Sequence, residues 1–137
     1  VDASGVHIGS EELPVEVVRK LIGKDKILGV TAKIVERALE AEQNGADYLG
    51  VGAIYPTTTK VITQPTSIAT LCEIATTVSI PIVAIGGIKE DNMEPLKGTG
   101  IAGVAIVSEI MKSENIQEKC YCLRKKVTEI LGGEVNE

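Results

Sequence analysis

The chain of 137 residues has no phenylalanine and no tryptophan, and only three tyrosines. Its core must therefore be built from Ile, Val, Leu and Ala, as buried parallel sheets commonly are. Cysteine is scarce too. Cys72, Cys120 and Cys122 are an odd number in a chain rich in ordinary core residues, which argues against a disulfide framework. Cys120-Tyr121-Cys122 has no companion Cys/His pair and His7 is the single histidine, so the signature of a zinc site is incomplete. Positive charge is outnumbered, 14 Lys and Arg against 19 Asp and Glu, for a formal net charge of −5. No basic stripe is available to neutralise phosphates in series, which speaks against nucleic acid or an anionic membrane surface as partner. No apolar run reaches the length of a bilayer, and the first residues have no basic n-region or signal-like core. A soluble, cytoplasmic protein is expected.

What is present is a regular alternation. Short β-branched runs at Gly5 to Gly9, Ile27 to Ala32, Tyr48 to Ala53, Pro81 to Gly86 and Gly103 to Ser108 read as strands. Pro14 to Ile22, Ile34 to Asn44, Ser67 to Val78, Asp91 to Lys97 and Glu114 to Leu131 read as helices. Asn44-Gly45 and Gly132-Gly133 are fitting C-caps. The alternation predicts an α/β domain over 1–131 with a parallel sheet and right-handed crossovers, followed by a short acidic tail, 132–137. Two architectures satisfy it, an open doubly wound sheet and an arc of a (β/α) barrel.

Tyr55-Pro56-Thr57-Thr58-Thr59-Lys60 directly follows the third strand. Hydroxyls, backbone N–H groups and one mobile cation are what a phosphate or pyrophosphate site requires, although turn-forming threonines also make ordinary solvated loops. Similar features recur at two later strand ends. Gly86-Gly87 permits close approach of the backbone to a ligand, and Val107-Ser108 supplies N–H groups and a hydroxyl. Each alone also reads as a turn or a helix cap. Their repetition favours a phosphorylated small molecule.

Six segments together, Gly5-Val6-His7-Ile8-Gly9, Ile27 to Thr31, Gly45 to Gly52, Tyr55 to Lys60, Ile82 to Ile88 and Gly103 to Ser108, resemble thiamine-phosphate synthase in order along nearly the whole chain. The resemblance implies a partial (β/α)8 TIM barrel of about five βα units, with the first three units absent. It implies a Mg²⁺-dependent transferase that joins hydroxymethylpyrimidine diphosphate to thiazole phosphate and releases pyrophosphate. By the same resemblance, Lys60 and Thr31 contact the pyrimidine diphosphate, with Lys60 stabilising charge on the leaving group. Thr57, Thr58, Thr59, Gly87, Val107 and Ser108 hold the thiazole phosphate.

Glu12 falls where that family places a Mg²⁺-binding carboxylate, usually Asp, and Ser10 stands where Gln is common. An acidic pair, Glu11-Glu12, just before Pro14 is equally good helix N-terminal chemistry. The segment after Lys60 lacks the glycine usual in the family. His7 falls on the same strand face as Gly5 and Gly9, where a structural hydrogen-bonding role suits it better than that of a base.

The resemblance further implies that residues of the missing N-terminal barrel half complete the site, including a basic segment and a second metal carboxylate. Five strands cannot close a barrel, so a further segment or a homo-oligomer partner is expected to cover the open edges. Two other functions stay open at this point, a thiazole tautomerase-like isomerase and a non-catalytic phosphate-ligand-binding module or partner subunit. The intact Thr57 to Lys60 segment speaks against the isomerase, which has no pyrophosphate to stabilise.

Overall fold

The computed structural model describes residues 1–56 and 65–132. Strands β1 (Gly5–Ile8), β2 (Ile27–Thr31), β3 (Tyr48–Val51), β4 (Ile82–Ile85) and β5 (Gly103–Ala105) pair in parallel, in the order in which they occur along the chain. A doubly wound sheet reverses its strand order at a switch point; among the described residues this sheet does not. Helices α1 (Val15–Ile22), α2 (Val35–Gln43) and α3 (Ile68–Thr77) alternate with the strands, and α4 (Ser108–Met111) and α5 (Ile116–Leu131) follow β5. Among the described residues no helix is long and apolar enough to cross a membrane.

Local chemistry sets most boundaries. Ser67 Oγ accepts from Thr70 N at 3.1 Å and Asn115 Oδ1 from Glu118 N at 3.1 Å, capping α3 and α5. Helix α2 stops at Asn44, where Gly45 takes φ +100°, and α5 stops at Gly132 with φ +71°. Residues 133–137 of the expected tail lie outside the described residues.

Two expectations need correction. The segment Asp91 to Lys97 contains one 3₁₀ turn, Glu94–Leu96; in an α-helix opening at Asp91, Pro95 would lie past the first turn with no N–H to give Asp91 O. The fifth strand ends at Ala105 rather than reaching Ser108. Met111 N donates to Val107 O at 2.9 Å and Lys112 N to Ser108 O at 3.0 Å, so the chain turns helical there. Val107 is the N-cap and no side chain caps α4.

Alternation divides the sheet into two chemically distinct faces. Leu28, Val30, Leu49, Val51, Ile82 and Ala84 lie on one face, are at most 2% exposed, and join Val15, Ala38, Ala41, Leu71 and Ile74 of the helices in one core. The other face carries Gly5, His7, Gly29, Thr31, Tyr48 and Gly50. In register His7 pairs with Gly29 and Gly29 with Tyr48, while Thr31 pairs with Gly50. This glycine-rich face holds the candidate site.

Arg19 locks the N-terminal ends of β2 and β3. Its guanidinium donates to Gly45 O (2.6 and 3.0 Å), Gly23 O (2.8 Å), Lys26 O (2.8 Å) and Asp47 Oδ2 (2.7 Å). The same carboxylate oxygen accepts from Leu28 N at 2.8 Å. Arg19→Met should cost about 2 kcal/mol, because it strips several carbonyls of a charged donor. A urea midpoint equal to that of the wild type would contradict this role. The bond from Leu28 N, followed by the hydrogen bond and charge of Arg19, holds the Asp47 carboxyl below its usual range against a desolvation effect that raises it. A depressed folded pKa contributes stability above the unfolded value, lost as pH falls through the folded one. Asp47→Asn should therefore flatten the decline in stability below the ordinary carboxylate range.

Both ends of the sheet are apolar. Val6 of β1, and Leu13, Val17 and Leu21 in the segment that follows it, are between 38% and 72% exposed. Beside β5 runs an open groove of about 670 Å³ lined by Ile101, Val104, Ile106, Ile110, Leu123 and Val127, among others. Among the described residues, β1 pairs only with β2 and β5 only with β4.

Candidate functional site

The glycines of the second sheet face make room for three polar side chains. A Cβ on Gly29 would stand 2.2 Å from Tyr48 Cζ, and one on Gly50 would stand 3.1 Å from His7 Cε1. Tyr48 can therefore lie across β2, where its hydroxyl meets His7 Nδ1 at 2.9 Å. The opposite ring nitrogen, Nε2, meets Thr31 Oγ1 at 2.9 Å. A neutral imidazole has one donor and one acceptor, so when neutral it accepts a hydrogen bond from one hydroxyl and donates one to the other. Thr31, expected at the diphosphate, is thereby oriented by residues 24 and 17 positions away in sequence.

The single histidine makes this arrangement easy to test. Tyr48→Phe should shift the ring nitrogen signals of His7 in NMR and change its tautomer balance. Signals that match the wild type would mean that the hydroxyl does not set the ring.

The loops after β3, β4 and β5 converge. Ile54 N donates to Ile85 O and Tyr55 N to Gly86 O, both at 3.0 Å. Gly86 and Gly87 have φ +102° and +64°, and a Cβ on Gly87 would lie 2.6 Å from Pro56 O. Only glycine fits so close to a neighbouring loop with that backbone. The chain returns at buried Thr66, whose N donates to Ala53 O at 2.7 Å and whose hydroxyl donates to Gly52 O at 3.1 Å.

Beside this junction lies a cleft of about 410 Å³, lined by Pro56, Gly87, Lys89, Ser108, Glu109, Lys112, Ser113 and Lys119. Three lysines and one glutamate are among its lining residues. Lys119 lies 3.2 Å from Glu90 Oε2 and 3.4 Å from Glu109 Oε1. The hydrogen bond to Glu90 is the main reason its ammonium titrates above the usual lysine range.

The structure thus brings Gly87 and Ser108 to one cleft and puts Thr31 at the end of β2. Val107 is the exposed N-cap before Ser108. Thr57, Thr58, Thr59 and Lys60 lie outside the described residues. Glu12 stands after β1, where its Oε2 accepts from Gly9 N at 2.7 Å. No group of three or more His, Cys, Asp or Glu able to hold a metal occurs among the described residues. One carboxylate still suits Mg²⁺, which is commonly bound by one or two carboxylates together with substrate phosphates.

Sequence reasoning missed Tyr48 and the three cleft lysines. Strand alternation could have found Tyr48, which shares a face with Gly50. The lysines come from segments 89 to 119 that carry no common motif, so only the fold unites them.

Comparison with known proteins gives relatives of one family. Residues 1–110 match the family model described as thiamine monophosphate synthase. A thiamine-phosphate synthase of Enterococcus faecalis is 64% identical over 129 residues, 94% of this chain and 60% of that protein. Thiamine-phosphate synthase 2 of Streptococcus pneumoniae is 59% identical over 131 residues, 96% of this chain and 62% of its own length. The solved structure of thiamine phosphate pyrophosphorylase from Pyrococcus furiosus superposes with a TM-score of 0.82 at 43% identity, covering 96% of this chain and 62% of that one. The chain therefore spans about 60% of the length of these relatives. With a family match over residues 1–110 and relatives this similar, the chain belongs to the thiamine monophosphate synthase family.

Proposed function

We propose that this chain carries the thiazole-phosphate side of a thiamine-phosphate synthase and works as an arc of a (β/α)8 barrel. The observation that carries the reading is the 64% identity to a relative of that name over 94% of the chain. The placement of the described candidate residues at or after the C-terminal ends of parallel strands supports it, since barrel enzymes gather their chemistry there. The exposed apolar surfaces at both sheet ends support closure by a further polypeptide segment or a second chain.

In this reading Thr31 and Lys60 receive the pyrimidine diphosphate. Gly87, Val107 and Ser108, with Thr57, Thr58 and Thr59, receive the thiazole phosphate through N–H and hydroxyl donors. The C–O bond to pyrophosphate breaks and the bonding pair leaves with the oxygen. The thiazole nitrogen lone pair then forms the new C–N bond to the pyrimidine methylene. The chain's part is electrostatic and geometric: Lys60 stabilises the departing charge, and the cleft holds the nucleophile in line. Glu12, fixed by Gly9 N, would be one ligand of Mg²⁺. When bound, the ion supplies charge neutralisation to the diphosphate.

Calorimetric titration tests the phosphate subsite directly. Thiazole phosphate should bind saturably, and the dephosphorylated thiazole alcohol should bind far more weakly. Equal binding of the two would remove the basis for a phosphate subsite.

A further inference from the structure

We infer that Asn92 and Tyr55 are positioning residues that hold the Gly87 loop in the shape that receives an anion, an assignment that rests on the thiazole-phosphate reading of Gly87. The Asn92 carboxamide spans the loop after β4. Its Nδ2 donates to Gly87 O at 2.9 Å, and its Oδ1 accepts from Lys89 N at 2.7 Å. A flipped amide would set donor against donor and acceptor against acceptor, so the two contacts together fix its orientation. Aspartate, leucine or serine at this position could not supply both bonds in this geometry.

Tyr55 extends the clasp to a second loop. It follows β3, and its hydroxyl donates to Asn92 O at 2.6 Å. Its backbone N donates to Gly86 O at 3.0 Å. Burial raises the Tyr55 phenol above its usual range, and a phenol even at its ordinary pKa of about 10 is protonated at neutral pH, so the hydroxyl is there to donate. The loop after β4 is thus held from within by an amide and from the side by a phenol.

The need for such a clasp follows from the two glycines. Gly86 and Gly87 both take positive φ, and glycine loses more conformational freedom on ordering than any other residue. A phosphate bound partly through backbone N–H groups gains most when those groups are already aimed at it. Asn92 and Tyr55 line no part of the cleft themselves. Their contribution is to restrict the loop before the ligand arrives.

Thiazole phosphate is titrated calorimetrically into the wild-type chain, Asn92→Ala, Tyr55→Phe and Glu42→Ala, and each variant's unfolding midpoint is recorded. Glu42 provides the control, because its Oε1 accepts from Ser79 N (2.6 Å) and Ile80 N (3.2 Å) in the connection between α3 and β4, a similar clasp outside the site. The expected result is an affinity about tenfold weaker for Asn92→Ala, the equivalent of roughly 1.4 kcal/mol, and a smaller loss in the same direction for Tyr55→Phe. Glu42→Ala should lose stability without losing affinity. Tyr55→Phe removes only one oxygen, so it still decides the matter if Asn92→Ala does not fold. Wild-type affinity in both site variants, or an equal loss in Glu42→Ala, would overturn the inference and leave the functional reading standing. Absence of binding by the wild-type chain would overturn the functional reading, and this inference with it.

Discussion

Lys60→Ala is expected to slow pyrophosphate release by about 10²–10³-fold, the usual consequence of removing one preorganised group from developing negative charge. The reason lies in where the charge appears. Pyrophosphate gains negative charge only as the C–O bond breaks, so a cation placed for it acts on the transition state more than on the bound substrate. Binding of thiazole phosphate should change little, because threonine hydroxyls, Gly87 and Ser108 serve that group in the proposed site. Kinetics and a binding titration on one preparation check both halves. Turnover that survives the substitution would remove Lys60 from the mechanism.

Gly52→Ala is expected to destabilise the protein by about 3 kcal/mol, at the upper end of ordinary overpacking. The added Cβ would stand 2.0 Å from Ile85 O. That oxygen belongs to a backbone already fixed by the bond from Ile54 N at 3.0 Å, so neither partner can yield cheaply. Gly29→Ala makes an instructive comparison. Its Cβ would meet the end of the Tyr48 side chain, which can swing away at the expense of the His7 contact. Gly29→Ala should therefore cost about 1 kcal/mol, near the worth of one hydrogen bond. Denaturation curves for the two variants decide the order, and a larger loss for Gly29→Ala would refute it.

Much of this fold was legible from local pattern. β-branched runs located all five strands, and the Asn44-Gly45 and Gly132 stops reflect backbone preferences that act within a few residues. Helix α4 escaped because four residues carry no readable period. Asp91 to Lys97 has the composition of a longer helix, but the helical turn it forms is the single one at Glu94–Leu96. Of the candidate site, short motifs point to Gly87 and Ser108, which line one cleft, whereas Val107 is not among its lining residues. The site was illegible where partners meet only in three dimensions. The hydrogen bond between His7 and Tyr48 joins residues 41 positions apart, and the one between Tyr55 and Asn92 spans 37. The glycines opposite these rings were visible, but nothing local says that a space left by Gly29 is filled from β3.

The most direct test of the synthase reading is pyrophosphate release from the pyrimidine diphosphate and thiazole phosphate with Mg²⁺, measured on this chain alone and again with the N-terminal part of a full-length relative supplied. The expected result is release once that part is supplied, and its loss on Lys60→Ala. No release from a mixture in which the two parts demonstrably associate would contradict that reading.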